Sequence, residues 1–235
     1  MTPSRRTASR ASLAAGILYL VTHISSVAAA VAYGPALTDP SSPAAEASVT
    51  GLRVGVMLEL VLALACVGTG IALLVLLRRA APALALTFAS LRLLEAAVIA
   101  AGTLPMLALA WMQGAAVSAA GTEVVAQALA DVHRASFLVG QGLVIGVNTL
   151  VLAVMLHRTK AVPFTLALLG LVGGTLVLAS DLGQLAGWIP LNGVIAGLCA
   201  APIFAFELWF AGYLLFVGLH PRVAIPAVQA ASTPM

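Results

Sequence analysis

The sequence predicts an all-α polytopic membrane protein: a bundle of six transmembrane helices with both termini cytoplasmic. Three observations predict it. First, 62% of the 235 residues are hydrophobic and only 8% are charged, with a mean hydropathy of +1.10. A soluble domain carries about 25% charged residues. Second, six stretches reach the roughly 20 apolar residues that a bilayer-spanning helix needs. Third, eight of the eleven Lys and Arg residues fall on one side of those stretches.

The first stretch, 12–33, follows a basic segment, 1–11, containing Arg5, Arg6 and Arg10. This start imitates a secretory signal, but its apolar run exceeds the roughly 7–15 residues of a signal core. It also carries Tyr19 and His23, so it reads as a retained first helix. The remaining spans are 52–77, 83–110, 133–156, 163–186 and 193–219, followed by a tail, 220–235. The breaks hold Pro, Gly, Ser and most of the charge. One break, "QGAAVSAAGTEVVAQALAD", predicts a short interfacial helix capped by Thr122.

Orientation follows from charge. Arg5, Arg6, Arg10, Arg78, Arg79, Arg158, Lys160 and Arg222 lie on one side, with Asp39, Glu46 and Glu123 on the other. Basic loops stay in the cytoplasm, so both ends are expected there. The same excess gives a net charge of +3 and a pI near 9.3. Neither a basic stripe nor stacking aromatics accompany it, so nucleic acid is not an expected partner.

Five glycine pairs at a spacing of four point to close helix packing: Gly51/Gly55, Gly142/Gly146, Gly170/Gly174, Gly183/Gly187 and Gly193/Gly197. Cys66 and Cys199 lie in apolar runs and read as small buried hydrophobes without a disulfide. No Cys/His spacing fits a metal site, and no cofactor is expected.

Polar groups inside the spans carry the functional signal, because each charge at a helix centre costs roughly 2.5–3.5 kcal/mol on insertion scales. Span one aligns Ser12, Gly16, Tyr19, His23 and Ser26 on one face, and span two aligns Glu59, Ala63, Cys66 and Gly70. Span three places Arg92 and Glu95 one turn apart. Span four sets Arg134, Gln141 and Asn148 at heptad spacing, with Asp131 and His133 at its outer mouth. Asp181 lies near the outer end of span five and Glu207 near the middle of span six.

The expected site is a polar pocket entered from the non-cytoplasmic side. Arg92 would be its centre, ringed by Glu95, Glu59 and Glu207, with His23, Tyr19, Gln141 and Asn148 lining it. Asp131, His133, Arg134 and Asp181 would form the rim. Trp111 and Trp188 fit interfacial belts, and Trp209 fits interior packing. Three glutamates face one arginine, so either a carboxyl is protonated or a cation is held.

The fragments "RASLAAGILYL", "LRVG", "LRLLEAAVI", "ALADVHRASFLVG" and "FELWFAGYLLFVG", together with Pro163 and Gly174, resemble a bacterial membrane family. It is known as domain of unknown function 4386. The resemblance runs over nearly the whole chain. It implies six helices, a place in the bacterial inner membrane, and a recurring set matched here by Arg92, Glu95, His133 and Glu207. At Asn148 the family pattern implies another polar residue such as His. It implies no activity.

Three functions compete. The first is binding or transport of a small solute or cation. The second is a sensor or accessory subunit with a structural ion-pair network. The third is an intramembrane enzyme, for which GxSxG and HExxH are both missing. Partners beyond the lipid bilayer would be that solute or cation, a second copy, or another membrane protein.

Overall fold

The computed structural model describes residues 5–40, 42, 48–114 and 121–219. Glu46, His220, Arg222 and the tail 220–235 lie outside the described residues. All regular structure among the described residues is helical, and six helices are long and apolar enough to cross a membrane.

In chain order these are α1 (Arg5–Tyr33), a one-turn α2 (Pro35–Thr38), α3 (Val49–Leu77) and α4 (Pro82–Gly114). Then come α5 (Thr122–Phe137), a π-helical segment (Leu138–Val144), α6 (Ile145–Thr159), α7 (Phe164–Leu185) and α8 (Val194–Phe216). Successive long helices pack side by side, and α8 returns to α1, closing a ring. The Ser12 hydroxyl donates to the Leu214 carbonyl at 2.9 Å, so the first span begins where the last one ends.

The interfacial helix predicted from Thr122 is not separate. α5 runs through the π segment into α6 as one rod spanning Thr122–Thr159. The residue at the cap is Gly121, whose φ of 95° needs a glycine, and Thr122 is already helical. No proline interrupts this stretch, and the chain passes through the glycine-containing segment Leu138–Val144 in wide turns without breaking the rod.

Three glycine pairs pack as expected. A methyl on Gly51 would meet the Ala32 carbonyl, and one on Gly55 would meet the Tyr33 ring. One on Gly146 would sit 3.2 Å from the Leu178 nitrogen, and Gly142 abuts Asp181. Gly170 and Gly174 abut Phe206 and Leu150, while the unpaired Gly173 would bring a methyl to 2.7 Å from the Ile203 nitrogen. The other two pairs do not bring helices together, although Gly183 abuts Ile189 of the following loop. Gly187 lies beyond the end of α7 at φ 73°, and Gly197 has open space around it.

The ring leaves an apolar skin. Ile24, Val31, Met57, Leu64 and Val194 are exposed on its outside. Trp111 and Trp188 lie on that surface too. Trp209, expected to pack inside, is half exposed among them. Inside, the end near the chain's start is closed by Leu73, Leu77, Phe88, Leu152, Phe206 and Phe210. The end near α2 is closed by Tyr33, Leu52, Met106 and Leu109. The polar residues lie between these apolar plugs and within them.

Candidate functional site

Among the described residues, Arg92 is the largest fully buried side chain, 2% exposed. Its Nη1 lies 3.0 Å from both carboxylate oxygens of Glu95, one turn along α4. Its Nη2 reaches Glu207 Oε1 on α8 at 3.3 Å. The guanidinium also lies over the Tyr19 ring at 5.1 Å and the Phe88 ring at 5.7 Å, a seat suited to a planar cation. Gly70 of α3 makes room, since a methyl there would come within 3.0 Å of Arg92 Cβ.

Side chains from α6, α3 and α1 complete this inner cluster. Asn148 of α6 donates to Glu95 Oε2 at 2.9 Å. The Cys66 thiol of α3 lies 3.6 Å from Glu95 Oε1, so this cysteine contacts charge rather than only filling space. His23 of α1 places Nε2 3.6 Å from Glu207 Oε2. Its Nδ1 engages the Tyr19 carbonyl at 3.0 Å. Three buried polar atoms in this cluster lack a partner: Tyr19 Oη, Arg92 Nε and Asn148 Oδ1.

Glu59 is not part of it. The expected ring of three glutamates around Arg92 contains two, and Glu59 belongs to a second cluster. Its Oε2 accepts the Tyr33 hydroxyl at 2.7 Å, and its Oε1 lies 3.7 Å from His133 Nε2. His133 Nδ1 engages the Gly102 carbonyl at 2.9 Å, and its ring meets Tyr33 edge-on. At 4% exposed, His133 belongs to the interior and not to a rim. Tyr33 went unnoticed in the sequence because it ends an apolar span, where tyrosines commonly sit at the interface.

Between the clusters, Ser26 donates to Gln141 Oε1 at 3.0 Å. Gln141 sits on the π segment. A π turn takes an extra residue, so residues before and after it no longer share the face that a 3.6-residue period assigns. Accordingly Arg134, Gln141 and Asn148 diverge. Gln141 faces α1 and Asn148 faces α4, while Arg134 reaches the Leu37 carbonyl at 2.6 Å and pairs with the exposed Asp131. That contact ties α5 to the segment after α1.

Asp181 is buried on α7 against Gly142 of the π segment, apart from both clusters. Gln184 donates to its Oδ1 at 2.7 Å, and its Oδ2 is unpartnered. Gln184, which the sequence did not single out, also accepts from the Asn192 amide at 2.8 Å.

The open pocket expected from sequence is instead filled by its own side chains. A narrow crevice lined by Glu59, Ile99, His133, Ser136, Phe137 and Gln141 leaves no room for a water molecule in this packing. Among the described residues no group of three His, Cys, Asp or Glu could hold a metal ion. Cys66 and Cys199 are both free.

These features run through the region that defines a family. Residues 14–218 match the domain of unknown function family DUF4386. The chain belongs to that family. No curated protein and no solved structure matches it. Membership and the six apolar helices together make it an integral membrane protein of unknown activity.

Proposed function

We propose that this protein binds or transports a small cation or cationic solute through the polar interior of the helix ring. One observation carries the reading: each buried cluster holds one carboxylate more than its permanent cations. Arg92 faces both Glu95 and Glu207, and Glu59 faces no Lys or Arg among the described ion pairs. An uncompensated buried carboxylate is costly, and a cation or proton relieves it. The crevice beside Glu59 is closed to water in this packing and has to widen to serve as the entry; the π segment forms part of its wall, consistent with the frequent use of π turns at functional sites.

The ring lies in the plasma membrane, with the end bearing Arg78, Arg79, Arg158 and Lys160 in the cytoplasm. The crevice then faces the opposite side. Reporters fused to each terminus test this, and an external C-terminus would reverse the direction of entry. For the cation itself, thermal unfolding of the detergent-solubilised protein is measured against sodium, potassium, ammonium and small organic amines. At a concentration 100 times its Kd, a ligand of the folded state stabilises by about 2.7 kcal/mol. Absence of stabilisation by any of them counts against the reading.

The close packing of the inner cluster favours a second reading, a structural ion-pair network in a sensor or accessory subunit. In that case cations leave stability unchanged, and joint neutralisation of Arg92, Glu95 and Glu207 spares function.

A further inference from the structure

We propose that the contacts His133–Glu59 and His23–Glu207 are two separate proton-binding sites, each holding one labile proton between an imidazole Nε2 and a carboxyl group. This rests on the reading that the interior takes up cations, and it names the proton as one of them, bound at two places.

The two pairs are built alike. In each, a backbone carbonyl engages the histidine Nδ1: Gly102 at 2.9 Å for His133, Tyr19 at 3.0 Å for His23. A carbonyl oxygen only accepts, so Nδ1 carries the hydrogen, and in the neutral ring Nε2 is left with its lone pair. That lone pair faces a carboxyl oxygen at 3.7 Å in one pair and 3.6 Å in the other. A lone pair opposite a carboxylate repels it, and one added proton turns the contact into a hydrogen bond. Both distances lie just outside hydrogen-bond reach, so uptake of a proton draws each pair together.

The second oxygen of each carboxyl is already held. Glu59 Oε2 accepts from Tyr33, and Glu207 Oε1 faces Arg92. Each carboxyl therefore keeps its position while its other oxygen meets the imidazole. The outer pair is faced by Tyr33 from α1, with the Ser136 hydroxyl and Gln141 nearby. The inner pair is faced by Arg92 and Glu95 from α4, Tyr19 from its own helix and Cys66 from α3. The reaction is simple uptake: as the packing opens to solvent, an N–H or O–H bond forms with a proton from hydronium, which leaves as water, and no electrons move.

The sites are distinct. His23 and Tyr33 are ten residues apart on α1, about 15 Å along the helix, with the uncharged Ser26–Gln141 contact between them.

Nitrogen-15 spectra of the histidine-labelled full-length protein provide the test. The chain has four histidines. At the alkaline end of the stable range, two of them should carry the proton on Nδ1, the minority form of free imidazole. His23→Gln and His133→Gln identify the two signals. Acidification should then add the Nε2 proton to both rings. Glu59→Gln should weaken proton binding at His133 roughly tenfold and leave His23 unchanged, and Glu207→Gln should do the reverse. Two neutral rings protonated on Nε2 would overturn the proposal, a measurement that needs no substitution. So would a pair of titrations that shift together in either variant, or none at all. Loss of every cation effect with both titrations intact defeats only the reading of the preceding subsection.

Discussion

The inner and outer clusters use the same pair, a histidine facing a glutamate, in different company. The inner pair shares its carboxylate with Arg92, which is bound in turn to Glu95 and covered by two aromatic rings. The outer pair has no guanidinium and is held by a phenol and a backbone carbonyl. The inner cluster therefore joins α4 and α8 by charge and ties α1, α3 and α6 to those charges through His23, Cys66 and Asn148. The outer cluster carries less charge and borders the crevice, so it can change state at smaller cost.

The sharpest way to break this comparison is to remove the arginine. Arg92→Met strands Glu95 and Glu207, and stripping one partner from a buried pair costs about 3–5 kcal/mol. Equilibrium unfolding in detergent should show that loss. Arg92→Lys should recover little of it, since an ammonium cannot reproduce the guanidinium's reach to two carboxylates. A stable Arg92→Met would mean that the inner cluster does not brace the ring.

The glutamates sharpen it further. Glu95→Gln loses a charged hydrogen-bond set, for a drop of about 1.5–3 kcal/mol. Glu59→Gln keeps an oxygen for the Tyr33 hydroxyl and removes an uncompensated charge, so the change should stay within about 1 kcal/mol. Equal losses in the two variants would erase the distinction between the clusters.

Two scaffold variants, one crowded and one open, test the packing around the clusters. Gly173→Ala forces a methyl against the backbone of α8, and overpacking of this kind costs about 1–3 kcal/mol. Gly197→Ala meets nothing and should stabilise by about 0.5–1 kcal/mol through helix propensity. Unfolding midpoints of the two variants side by side check both.

Much of the ring was legible in the residues. Six apolar runs separated by Pro, Gly and charge correspond to six long helices, although α1 already begins at Arg5 and the fourth long helix at Thr122. The stripes Ser12–Tyr19–His23 and Glu59–Cys66–Gly70 face inward as their 3.6-residue spacing predicts. Glu95 and Arg92 pair because i and i+3 meet on any helix.

Grouping was not legible. Glu59, Glu95 and Glu207 look equivalent in sequence, yet two share Arg92 and the third belongs with His133 and Tyr33. Arg134, Gln141 and Asn148 share a heptad spacing yet contact three different places, because a π turn intervenes. His133 looks like a rim residue and is buried.

The division has a physical cause. Whether a segment crosses the bilayer depends on its own transfer free energy, a sum over its residues, and the facing of a regular helix depends on a fixed angle per residue. Both are local, so the sequence alone determined the class of protein, its spans and most inward-facing residues. Which charges meet depends on the relative height and rotation of helices distant in the chain. Those are decided by glycine contacts such as Gly70 against Arg92 and Gly173 against Ile203, and by the π turn that shifts the phase of the fourth span. Only the packed ring decided that one set of buried carboxylates would become two.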